Sequence, residues 1–344
     1  MSDTPDTPET PGSSDRRPDE YPQPPQQQWP AAPGGWRPPL KPGVIPLRPL
    51  GLGDILGGAF ATMRTRAALM LGVTAVVVII TQLLTFAVTF PLLVELSESV
   101  VPDPYTSPYG ATYVSSGDVL RLAGLTMLVA LIGLVLAMAS RVFLAGFFTV
   151  VVGTAVLGQR PSFREVMRRV RPRLLPLFGL TLIYLLVLVA AGGVVGVFMA
   201  ASPAFGLLVL LGVVVIAAWL GILFLLATPA LVLEGVGVRR AFGRSRELVH
   251  GAWWRIFGIT LLTGLMVGFA AFVIALPFEV MGGGFAASVT PLTTNYLVLS
   301  TIGAVIASTV TEPFAAAVTA LLYTDQRIRR ERLDIELART MTTS

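Results

Sequence analysis

Cysteine is absent from this chain and histidine occurs once, at His250. The first absence excludes disulfides, thiolate metal sites and cysteine nucleophiles. The second excludes any multi-histidine metal site. Lys41 is the sole lysine, so positive charge is carried almost wholly by arginine. Charge of either sign is scarce, at 13% of residues, where soluble proteins carry about a quarter. No HExxH, GxSxG, Walker or GxGxxG-with-acid pattern is present. The expectation is a non-enzymatic chain that needs no cofactor and no metal.

What is present is apolar. Hydrophobic residues make up 54% of the 344 positions, and runs long enough to cross a bilayer recur. A helix needs about 20 apolar residues to cross the hydrocarbon core. Six such spans are expected, at about 67–93, 119–148, 174–200, 204–226, 256–278 and 297–323. Residues 174–226 contain no charged side chain. At about 1.5 Å per residue they are twice a membrane thickness, so they form two spans, with a turn at Ser202-Pro203. The predicted fold class is an all-α polytopic membrane protein.

Three regions follow. Residues 1–45 hold roughly half of the 26 prolines, with Gln26, Gln27 and Gln28. They have too little apolar area to offset ordering entropy, so they read as a disordered Pro-rich cytoplasmic tail. That tail is a solvated leader, or a docking segment anchored by Trp29 and Trp36. It carries no apolar h-region, so the first span is expected to serve as the membrane signal. Residues 46–325 form the six-span membrane domain, and 326–344 a charged cytoplasmic C-terminal helix or tail.

Arginine sets the orientation. Residues 48–66, 160–173, 239–255 and 327–339 are rich in it, whereas the alternate connections carry no Lys or Arg. The first of those connections is acidic, with Glu95, Glu98, Asp103 and Asp118. The positive-inside rule then puts both termini in the cytoplasm. The formal charge of +5 lies beside apolar helices, which suits anionic lipid headgroups rather than nucleic acid.

Three segments align without gaps: 56–74 (LGGAFATMRTRAALMLGVT), 163–181 (FREVMRRVRPRLLPLFGLT) and 242–260 (FGRSRELVHGAWWRIFGIT). Each passes from an arginine-bearing amphipathic stretch into a span. The predicted unit is an interfacial helix followed by a two-span hairpin, used three times. In the second copy Ser162 and Glu165 suit a capping box. Phe163, Val166, Met167 and Val170 then make an apolar stripe at helical spacing. In the first copy Leu52, Ile55, Leu56, Phe60 and Met63 do the same. The third copy feeds Trp253 and Trp254 into the headgroup level. The apolar stretches 149–158 and 228–235 are too short to span and read as links at the cytoplasmic boundary. Arg164, Arg168, Arg171, Arg239, Arg240, Arg244 and Arg246 form a cytoplasmic rim. It either anchors and orients the spans or binds lipid headgroups or partner proteins. Glu234 and Glu247 flank the last cluster and are expected to pair with it.

Ionisable groups inside a span are costly and are default functional candidates. Glu312, followed by Pro313, falls on a small-residue stripe with Ala304, Ser308 and Ala316. Arg141 falls on a similar stripe with Gly133, Ala137 and Ala145. The two can pair across the bundle, or Arg141 can snorkel to the surface while Glu312 is protonated or hydrated. Thr81, Gln82, Thr85 and Thr89 form a polar edge, for interhelical hydrogen bonds or for lining a pathway. Gly192 with Gly196, and Gly264 with Gly268, are GxxxG pairs that predict close helix packing.

Three separated motifs carry a family resemblance: PGVIPLRPLGLGDILGGAF at 42–60, the series Pro229…Glu234…Ala241…Arg244-Ser245…Leu248…Gly251…Trp254, and LLYTDQRIRRERLDIELA at 321–338. From about residue 42 onward the chain resembles the actinobacterial glycerophosphoryl diester phosphodiesterase membrane-domain family. The resemblance implies six spans and a bacterial plasma membrane. Since no phosphodiesterase domain is appended, it implies no activity. The leading expectation is a protein that organises or senses lipid or scaffolds other membrane proteins. The alternatives are a transporter or channel using Glu312 and Arg141, and an enzyme acting on a lipid headgroup.

Overall fold

The computed structural model describes residues 44–45, 48–99, 116–159, 161–283 and 294–331. The tail with Trp29, Trp36 and Lys41, the loop residue Asp103, the side chains of Glu95, Glu98 and Asp118, and the segment from 332 onward lie outside it. Its elements, in chain order, are α1 (Leu52–Thr65), α2 (Ala67–Ser99), α3 (Ser116–Val156), α4 (Phe163–Val170), a 3-10 turn (Arg171–Arg173), α5 (Leu174–Ala201), α6 (Pro203–Phe224), α7 (Ala227–Glu234), α8 (Val238–Val249), α9 (Trp253–Met281) and α10 (Thr294–Glu331). No strand occurs among the described residues. Six helical stretches are long and apolar enough to cross a membrane, and the chain is a multi-pass membrane protein.

The break between α5 and α6 falls at Ser202-Pro203. Ser202 is extended (φ −161°, ψ 122°) and Pro203 opens α6, where its missing N–H costs nothing. The reversal is tight: a Cβ on Gly206 would lie 2.6 Å from the Met199 Cα. The expected link at 149–158 takes a different form. α3 runs unbroken to Val156. At about 1.5 Å per residue it is far longer than the hydrocarbon core, so its last turns continue the span out of the bilayer.

Burial is concentrated at one end. The buried residues of α5 are Leu177, Leu180 and Thr181, and those of α9 are Ile256, Ile259 and Thr263, all near the helix starts. Leu177, Ile256 and Ile259 join Phe147, Phe148, Leu226, Leu231, Leu248 and Tyr323 in one apolar core. α1, α4, α7 and α8 pack around this end. α10 is the central element, touching α1, α2, α3, α7, α8 and α9. Half of its most apolar window is buried, against 6% for α6 and none for α5. α9 and α10 approach closely where Gly303 faces Phe278, since a Cβ there would sit 2.9 Å from the phenylalanine Cβ.

The first amphipathic helix packs by a face turned partly away from its apolar stripe: Ile55 is buried, and Leu56 and Met63 are partly buried against the core. In α1 the buried positions are Ile55, Gly58, Ala59 and Thr62, while Leu52 and Phe60 are exposed. Small size decides this. A Cβ on Gly58 would collide with Ile45 and crowd Leu321, so the glycine lets α1 lie against α10.

Candidate functional site

α4 and α8 carry the arginine rim. α4 starts at Ser162, whose Oγ accepts the Glu165 N–H at 3.3 Å. The Glu165 carboxylate accepts from Arg169 at 2.8 Å, one turn on. Val166 and Val170 are buried beneath the helix. Arg164, Arg168 and Arg171 are exposed around an open groove with Phe163 and Met167. α8 buries Ala241, Ser245, Leu248 and Val249. The Ser245 hydroxyl donates to the Leu223 carbonyl at 2.8 Å, tying α8 to the end of α6. Arg239, Arg240 and Arg246 point outward. None of these six exposed arginines has an ion-pair partner among the described residues.

Arg244 behaves otherwise. It is turned inward, and its Nε lies 3.0 Å from both oxygens of Glu234, at the end of α7. Its Nη2 donates to Glu331 on α10, and its Nη1 lies 3.5 Å from Glu247. Tyr323 donates its hydroxyl to Glu234 at 2.5 Å, and Arg327 donates to Glu331 at 2.8 Å. Burial works against the Arg244 charge. The hydrogen bonds and attraction of Glu234 and Glu331 outweigh it and hold its pKa above the ordinary arginine value. Arg244 is therefore part of a bonded hub joining α7, α8 and α10, not a rim residue. Beside the hub, α7 ends at Gly235 with φ +69°. A Cβ there would run into the Arg173 guanidinium, which donates to the Gly235 carbonyl at 2.9 Å.

A second buried cluster has no counterpart in the sequence expectations. Asp325 on α10 is fully buried. Its carboxylate accepts from the Leu50 N–H at 2.8 Å, Arg255 Nη1 at 2.5 Å and Arg329 Nε at 3.0 Å. Arg255 and Arg329 each also donate to the Leu50 carbonyl at 2.8 Å. The backbone just before α1 is thus gripped through both its polar groups by α9 and α10. The Asp325 to Arg329 spacing of four was a readable helical pair. Nothing local joined it to Leu50 or Arg255.

Within the spans, the structure brings Arg141 and Glu312 together, with Nε 3.3 Å from Oε1. The Arg141 side chain is 73% exposed and that of Glu312 26%. The threonine edge of α2 turns on itself. Thr81, Thr85 and Thr89 donate to Val77, Thr81 and Thr85 carbonyls one turn back, so these hydroxyls do not bridge helices. The GxxxG pairs do not mark close packing within the chain. A Cβ on Gly192, Gly196, Gly264 or Gly268 would meet nothing within 4 Å. Trp253 stacks on Phe257 with ring centroids 5.1 Å apart and donates to the Trp219 carbonyl at 3.4 Å. Trp254 points outward, 78% exposed.

The arrangement therefore separates two kinds of arginine at one end of the bundle: an inner set bonded to carboxylates and carbonyls, and an outer set free to meet anions. No protein-family model matches the chain, and neither a curated protein nor a solved structure matches it.

Proposed function

We propose that this chain is a non-enzymatic membrane protein that organises or senses anionic lipid, or scaffolds other membrane proteins, at the cytoplasmic face. The observation that carries the reading is the outer set, Arg164, Arg168, Arg171, Arg239, Arg240 and Arg246, exposed on two amphipathic helices and the 3-10 turn after the first, with no ion partner among the described residues. An interfacial helix buries its apolar stripe at the headgroup boundary and offers its basic face to anionic headgroups. Each arginine near an anionic surface contributes about 1 kcal/mol.

Three repeats of a short helix and two long ones describe the order α1–α2–α3, α4–α5–α6 and α8–α9–α10. The repeat is supported by its matching threonines. Thr74 and Thr181 are buried and each donates to the carbonyl one turn back, whereas the buried hydroxyl of the third, Thr260, has no hydrogen-bond partner and departs from the pattern. Arginine on the connections orients both termini to the cytoplasm. The motifs at 42–60, 229–254 and 321–338 support membership of the phosphodiesterase membrane-domain family and a bacterial plasma membrane.

Reconstitution into nanodiscs of mixed phosphatidylglycerol and phosphatidylcholine tests the proposal. The lipid co-released with the protein should be enriched in phosphatidylglycerol, and replacing the six arginines by glutamine should remove the enrichment. No enrichment in the unaltered protein, or enrichment that survives the replacement, overturns it.

A second reading, a transporter or channel, is favoured by one contact, the ion pair of Arg141 and Glu312 inside the spans. A pathway to that pair must be wet. In a Ser308→Cys variant, a membrane-impermeant thiol reagent should then react from one side of the membrane. No reaction from either side removes this reading.

A further inference from the structure

α5 and α6 are little buried within the protein, yet a cavity of about 430 Å³ lies between them. Val187, Val213 and Gly221 line it within the spans, Met138 of α3 closes one side, and Phe242 of α8 stands at its cytoplasmic end. Its walls are almost wholly apolar. The one hydroxyl, that of Tyr184, is already satisfied by the Phe224 carbonyl at 3.0 Å. Nothing there holds water in place, because a buried water needs two or more polar partners. The surrounding medium at this depth is acyl chain.

The end of the cavity is built and charged. Phe242 meets Tyr184 and Phe224 edge to face, with centroids 5.8 and 4.9 Å away. On α8, Arg239 precedes Phe242 by three positions and Arg246 follows it by four. Residues at these spacings share one face of a helix. Both are exposed and have no ion partner among the described residues. An apolar slot in the membrane thus ends at two unpaired guanidiniums at the headgroup boundary. Guanidinium is the side chain suited to bidentate phosphate recognition.

We propose that this cavity is a specific site for one anionic phospholipid, an acyl chain between α5 and α6 and the phosphate between Arg239 and Arg246. The site rests on the anionic-lipid reading above and narrows it from a diffuse rim to a single place.

Native mass spectrometry of detergent-purified protein, delipidated and titrated, tests it. One phosphatidylglycerol should be retained, at least tenfold more tightly than phosphatidylcholine. A Cβ on Gly221 would meet nothing within 4 Å, so a larger side chain there enters open space. Gly221→Trp should weaken that lipid at least tenfold without touching any arginine. Gly221→Leu should act in the same direction, and it carries the test if the tryptophan variant does not elute as a single folded species. Arg239→Gln with Arg246→Gln should reduce phosphatidylglycerol binding to the level of phosphatidylcholine. Glycerol 3-phosphate alone should not compete.

Retention that is unchanged in the filled variants, or competition by glycerol 3-phosphate, overturns the site. The two proposals fail separately. Absence of a single retained lipid from the unaltered protein while nanodisc enrichment persists removes the site and leaves the broader reading. Replacing Arg164, Arg168 and Arg171 by glutamine should lower nanodisc enrichment while the single lipid stays bound.

Discussion

α6 and α10 are both apolar spans, yet they sit in opposite environments. α6 is the more apolar, and its window is 6% buried within the protein. α10 is the less apolar, and its window is 50% buried. In a soluble protein this order would be reversed. In a bilayer, lipid tails serve an aliphatic side chain as well as a protein core does, so apolarity no longer draws a helix inward. What draws α10 inward is small and polar chemistry. Gly303 admits Phe278, and Tyr323, Asp325, Arg329 and Glu331 knit its last turns to α7, α8, α9 and the backbone at Leu50. Comparing these two helices separates what inserts the chain from what assembles it.

Three substitutions sharpen that comparison. The largest effect is expected from Asp325→Asn, because it leaves Arg255 and Arg329 without their shared carboxylate. Breaking a buried ion pair on one side costs about 3–5 kcal/mol, read as a lowered melting temperature in detergent and loss of monodisperse protein. An Asp325→Asn protein as stable as the original would show that the cluster does not assemble α10. Next, Leu321→Ala removes a fully buried side chain, and should cost about 2–5 kcal/mol in the same melting experiment. The smallest effect belongs to Leu211→Ala on α6, whose side chain is 63% exposed. It should stay within about 0.5 kcal/mol. Equal costs for the two leucines would erase the distinction between the helices.

Much of the architecture is legible in the sequence because it depends on local properties. Long apolar runs place the spans, and Ser202-Pro203 marks the break between α5 and α6, since proline opens a helix but cannot continue one. Glu165 with Arg169 follows from helical spacing. The failures are equally physical. Arg239, Arg240, Arg244 and Arg246 look alike as a run of basic residues, but helical phase turns only Arg244 towards Glu234 and Glu331. The α2 threonines have suitable spacing for bridging, yet their own helix offers carbonyls one turn back. The GxxxG pairs of α5 and α9 satisfy a pattern whose partner surface is absent within the chain.

The sequence by itself determined that the chain enters a membrane, how often, and in which segments its arginines cluster. Transfer of apolar side chains from water to hydrocarbon acts residue by residue and needs no partner. Only the tertiary structure decided which helix stands at the centre and which arginines remain outside. Those outcomes depend on groups far apart in the chain, such as Leu50 and Asp325, 275 residues apart. Their energy exists only when a donor, an acceptor and a dry surrounding coincide, and packing alone brings them together.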